Sequence, residues 1–147
     1  MKFRTLAIAA TLAAFGAGAV VAADEPQVAR QAMMKKVGGA MGALAGIAKG
    51  EKPYDAEVVK ASLATMSEEA KAFPGQFPAG TETGAETEAS PKIWEAMDDF
   101  KAKSEKFAAD AEAALASLPA DQAGVAAALG VVGKNCGGCH EVYRLKK

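Results

Sequence analysis

The sequence predicts an all-α domain, an antiparallel four-helix bundle, on three observations. Apolar residues recur three and four positions apart through four separate stretches, the spacing of a buried helix face. Proline and glycine interrupt the chain between those stretches. No strand-like run of alternating residues is present. Short first and third connections and a longer middle one make sequential helices antiparallel neighbours.

The first helix is expected from about Glu25 to Lys49, with Val37, Met41, Leu44 and Ile47 on its buried face, ended by Gly50 and Pro53. The second is expected from Asp55, a capping residue, to Phe73. Val58 or Val59, then Ser62, Met66 and Phe73, continue the period. Pro74 to Ser90 has no regular pattern and forms the one long loop, either a functional cover or a loose crossover. The third helix is expected to start with Ser90 as N-cap and Pro91 in the first turn. Its stripe runs unbroken through Ile93, Met97, Phe100, Ser104, Phe107, Ala111, Leu115 and Leu118 until Pro119 stops it. The fourth opens at Asp121, and Val125, Leu129, Val132, Cys136, Cys139 and Tyr143 share its core-facing stripe.

The N-terminus is read separately. Lys2 and Arg4 precede an uncharged, Ala-rich stretch that ends in Val21-Ala22-Ala23. A basic start, a short apolar centre and small residues at the end describe a secretory signal peptide, expected to be cut after Ala23. The alternative is a membrane anchor, but Ala and Gly insert poorly compared with Leu or Ile. Residues 24–147 then form one domain, exported to the periplasm. Formal net charge is −1 for the full chain, and removing Lys2 and Arg4 makes it more acidic. With no basic stripe, nucleic acid is excluded as a partner. Nothing further in the chain is long and apolar enough to cross a bilayer.

The most informative string is Cys136-Gly137-Gly138-Cys139-His140. C-x-x-C-H marks covalent attachment of a c-type haem. On a helix these three side chains fall at i, i+3 and i+4, on one face. Two thiols can form thioethers to the haem vinyl groups, and the imidazole can bind iron. The chain has two cysteines and one histidine, so a second axial ligand is not His. A thioredoxin-like pair would need a βαβ context. A structural zinc site would need four N or S ligands. A disulfide at this spacing would close too small a loop to stabilise much. The haem, one per chain, is expected inside the bundle as part of its apolar filling, so the apoprotein should fold poorly.

Four strings, the haem motif among them, carry a family resemblance. Arg30-Gln31-Ala32-Met33-Met34-Lys35, Lys49-Gly50-Glu51-Lys52-Pro53-Tyr54-Asp55-Ala56, Pro91-Lys92-Ile93-Trp94, and Cys136 to His140 followed by Tyr143-Arg144 occur in order with family-like gaps. Over essentially all of residues 24–147 the chain resembles cytochrome c', a class II c-type cytochrome. The resemblance implies Cys136 and Cys139 as thioethers and His140 as proximal iron ligand. It implies that Met34 sits over the distal iron face, that Arg30 reaches a haem propionate, and that Gln31 lies at the same edge. Thr87 and Glu88 match a stretch that borders the haem, and Arg144 lies close to the proximal side. The family commonly forms homodimers through its first two helices. The row Gly38, Gly42 and Gly46 is therefore read either as dimer contact or as internal close packing.

The resemblance implies five-coordinate, high-spin iron that binds small gases such as NO and CO and exchanges single electrons with redox partner proteins. Met34, Val37 and Phe73 would line an apolar distal pocket, unsuited to stable dioxygen. The alternative is a low-spin electron carrier with Met34 as sixth ligand, as in members of the fold that use a Met from this helix. Met33 lies about 100° round the helix from Met34 and should not reach the same spot. No enzyme is expected. A peroxidase needs a distal acid–base, whereas the sole His is proximal and Lys35 and Lys36 are expected to point elsewhere. Bland readings stand beside Trp94 and Tyr143, as core aromatics rather than redox or proton groups.

Overall fold

The computed structural model describes residues 25–84 and 86–146. The expected signal peptide at 1–23 lies outside the described residues. Four long helices carry the fold: α1 (Pro26–Ala48), α2 (Ala56–Ala72), α4 (Met97–Ala116) and α5 (Gln122–Tyr143). A 3-10 turn, Phe73–Gln76, follows α2, and a single-turn helix α3 (Lys92–Glu95) precedes α4. Each long helix packs on two others, α1 on α2, α2 on α4, α4 on α5 and α5 on α1, which closes a four-helix ring. Paired positions run in opposite directions along neighbours, as where Asn135 meets Asp110 and Tyr143 meets Asp99 between α5 and α4.

Local chemistry explains the ends. Asp55 accepts from the backbone N–H of Glu57 at 2.9 Å and Val58 at 3.2 Å, capping α2. Asp121 does the same for α5, accepting from Gly124 N–H at 2.8 Å. Gly50, just beyond α1, has φ 73°, a left-handed conformation glycine adopts without steric cost. Of the two α2 candidates, Val59 is fully buried and Val58 exposed.

The third stretch differs from its expected form. It breaks at Ala96, with φ −134° and ψ 49°, instead of running unbroken from Ser90 to Leu118. The break turns Trp94 onto Phe77, ring centroids 5.6 Å apart, and its indole N–H donates to Pro78 O at 3.3 Å. Periodicity could not show this, because Ile93, Met97 and Phe100 keep helical spacing across the kink. The short helix begins at Lys92 with Pro91, not Ser90, in the capping position, and Ser90 Oγ accepts from Lys92 N–H at 3.3 Å one residue earlier. The irregular segment is also shorter than expected, since the 3-10 turn takes Phe73–Gln76.

The core has two parts. One contains Leu44, Ile47, Val59, Leu63, Met66, Ala111, Val125 and Val132. The other contains Phe77, Ile93, Phe100 and Tyr143, with Phe73, Trp94, Met97 and Cys139 packed on it. Within the glycine row, an added Cβ at Gly38 or Gly42 would meet nothing within 4 Å, and Gly38 borders an internal cavity. Gly46 packs against the Lys52 side chain at 3.4 Å.

Candidate functional site

A cavity of about 630 Å³ borders both parts of the core. That volume is within the range of sites that enclose a small molecule or cofactor, roughly 300–1,000 Å³. Helix α5 contributes Cys136, Cys139, His140 and Tyr143, and α1 contributes Arg30, Gln31, Met34, Val37 and Met41. Phe73, Phe77, Phe100 and Phe107 supply aromatic walls, and Thr87, Glu88 and Arg144 border it. All nine residues singled out from the sequence thus meet at one cavity.

The two thiols are free and half-buried. Burial pushes both thiols up from their ordinary range. His140 lies at the rim, exposed to solvent on one side. Partial burial, then the charge of Arg144, lower its pKa, with Glu88 opposing. That shift favours the neutral imidazole, the form a metal requires. Among the described residues no three His, Cys, Asp or Glu side chains gather as a metal-ion site. The C-x-x-C-H side chains are strung along the wall instead, which suits a large planar group joined at several points. A cavity of this size, with an apolar lining, two thiols and one imidazole, fits haem c.

The chain matches the family described as Cytochrome C' over residues 25–144. It belongs to the cytochrome c' family. Its cofactor is covalent haem c, and its function is electron transfer. Over 147 residues it is 56% identical to cytochrome c-556 of Agrobacterium fabrum, covering 100% of this chain and 99% of the relative. It is 40% identical to cytochrome c' of Rhodopseudomonas palustris over 147 residues, with 100% and 99% covered. The solved structure of a cytochrome c' from Rhodopseudomonas palustris superposes with a TM-score of 0.79 at 39% identity, covering 84% of this chain and 98% of that one.

Within this cytochrome the two adjacent sulfurs of α1 separate: Met34 lines the cavity, while Met33 is buried outside its lining. Lys35 does border the cavity, contrary to the expectation that it points elsewhere. Arg30 is engaged with the 76–81 segment: its Nε donates to Gln76 O at 2.8 Å, Nη1 to Thr81 O at 3.0 Å, and Nη2 to Thr81 Oγ1. Gln31 donates to Glu86 O at 2.8 Å. Glu88 accepts from Arg144 Nε at 2.6 Å, beside an antiparallel bridge between Ala89 and Arg144. The sequence singles out both residues but not their pairing, because 56 positions separate them. It also misses Met41, Lys103, Ser104 and Asn135 as lining residues. Helical spacing could have pointed to Met41 and Ser104, which share the buried stripes.

Tyr143 is a core aromatic with its hydroxyl satisfied. Its O–H donates to Asp99 Oδ2 at 2.6 Å, and its ring packs edge-on against Phe100, centroids 5.3 Å apart. Burial, then the Asp99 bond and charge, push its pKa up to about 12.

Proposed function

We propose that this chain is a periplasmic one-electron carrier, made with a signal peptide cut after Ala23, in which His140 and Met34 are the two protein ligands of the haem iron. The observation that carries the reading is the placement of Met34: it is the sulfur of the Met33-Met34 pair that faces the cavity holding Cys136, Cys139 and His140. A thioether ligand raises the potential of a c-type haem. The family match begins at residue 25, just past the expected cut, which supports export.

The haem supplies the iron that changes oxidation state by one electron. The chain's own residues do the rest. Cys136 and Cys139 fix the group covalently, and His140 orients it from the same helix. Phe73, Phe77, Phe100 and Phe107 exclude water, which tunes potential and limits reorganisation. Thr87, Glu88 and Arg144 close the edge nearest His140, and Gln31 the edge beside Arg30. Lys35 and Lys103 place positive charge at the lining for a redox partner protein. Two copies would pair through the first two helices, as the family resemblance implies.

A second reading has its own support. Apolar residues dominate the Met34 side of the cavity, with Val37, Met41 and Phe73 around it. If Met34 only packs there, the iron is high-spin and five-coordinate and takes NO or CO.

The ferrous spectrum of the holoprotein with and without CO, repeated for Met34→Leu, separates the two. Sharp low-spin bands that resist CO, converted in Met34→Leu to a CO-binding high-spin form, are expected. A high-spin spectrum in the unaltered protein that shifts readily with CO would overturn Met34 ligation and establish the gas-binding form.

A further inference from the structure

Among the described residues, Arg30 is the only buried charged side chain, 5% exposed. A buried cation is costly unless it is paired and hydrogen-bonded. No salt bridge among the described residues includes Arg30, although the charge of Glu82 acts on it and partly opposes the cost of burial. Its partners are main-chain carbonyls and a hydroxyl of one segment: Gln76 O, Thr81 O and Thr81 Oγ1. The guanidinium also stacks 4.2 Å from the Phe77 ring centroid and 5.2 Å from that of Trp94. Two glutamines on the same face of α1 extend the pattern. Gln27 donates to Thr83 O at 2.8 Å and Thr81 O at 3.3 Å, and Gln31 to Glu86 O at 2.8 Å.

Beyond the 3-10 turn that ends at Gln76 this segment has no regular helix, so its part-buried carbonyls need donors from elsewhere. Side chains of α1 provide them, and Arg30 provides the most. Phe77, between the Arg30 acceptors Gln76 and Thr81, is buried and lines the cavity beside Phe73. The fork geometry matters, because a guanidinium aims several N–H groups at once and a lysine cannot.

We propose that Arg30 is a positioning residue: it pegs the 76–83 segment to α1 and so keeps the Phe73–Phe77 wall closed, which sets how much water reaches the haem. The proposal rests on the chain carrying haem c, and it holds whether or not Met34 binds iron. Water favours the more highly charged ferric state, so opening this wall lowers the reduction potential.

The test uses the holoprotein with Arg30→Met and Arg30→Lys, read by proteinase K cleavage within 77–86 and by potentiometry. Arg30→Met should be cut at least about tenfold faster, since several charge-assisted bonds are lost, and its potential should fall. Arg30→Lys should resemble it, because the charge is kept and the fork is lost. Unchanged cleavage in Arg30→Met, or unaltered behaviour of Arg30→Lys on both readouts, would overturn the proposal. If neither Arg30 variant folds, Thr81→Ala should be cut faster and Thr81→Ser should restore the original rate; equal rates for the two would overturn it. The ferrous spectra of the same samples report Met34 ligation separately, so a failure there leaves the cleavage result intact.

Discussion

Replacing Phe100 by alanine tests whether the aromatic part of the core holds the haem end of the bundle together. Phe100 is 1% exposed. Its ring centroid lies 4.8 Å from Phe77, 5.3 Å from Tyr143 and 6.0 Å from Phe73. It therefore ties together α4, α5 and the turn after α2. Truncating a buried Phe costs about 3–5 kcal/mol, as lost transfer energy plus the cavity left behind. Each aromatic pair contributes about 0.5–1.5 kcal/mol beyond its area. Phe100 also lines the haem cavity, so its removal strips packing from the cofactor site as well as from the three rings. The expected loss is therefore in the upper half of the range, about 4 kcal/mol. Against a total of about 5–15 kcal/mol, that is a large share. Guanidinium unfolding of the ferric holoprotein, followed by helix circular dichroism, should show a lower midpoint with an unchanged slope. Haem stays on the unfolded chain through its thioethers, so cofactor loss does not complicate the comparison. A loss below about 1.5 kcal/mol would refute the reasoning, because the three ring contacts would then be replaceable by relaxation.

Two further outcomes are expected. Tyr143→Phe removes the bond to Asp99 and should cost about 0.5–1.5 kcal/mol at neutral pH. Because the Tyr143 pKa is pushed up to about 12, its contribution is complete below its ordinary value near 10 and is lost as pH rises toward 12. The difference between the two proteins in chemical denaturation should therefore shrink between those pH values, and a constant difference would contradict the assignment. Asp55→Ala removes the side-chain acceptor that caps α2 and should cost about 1 kcal/mol in urea unfolding, while Asp55→Asn should cost much less.

Much of the fold was legible because its signals are local. Helix periodicity placed three of the four long helices to within a residue or two but began the other at Pro91 instead of Met97, and Asp55 and Asp121 cap where their side chains said they would. The kink at Ala96 was not legible. It leaves the apolar period intact, and the contacts it permits, Trp94 on Phe77 and Pro78, form only after the crossover folds back. The glycine row of α1 was readable as a groove, but whether that groove faces inward depends on which face the other helices cover.

The candidate site divides the same way. Cys136, Cys139 and His140 are fixed by the sequence, because their spacing on one helix puts them on one face whatever surrounds them. Met34 and Met33 are separated by the turn of α1 alone. What only the tertiary structure decides is where long polar side chains reach. Arg30 sits 51 positions from Thr81, and Glu88 sits 56 from Arg144, yet these pairs close the cavity. Flexible side chains can reach many partners from one backbone position, and the choice among them is made by the packed path of the crossover. The attachment of haem is thus a property of the sequence of α5, while the sealing of its cavity is a property of the assembled bundle.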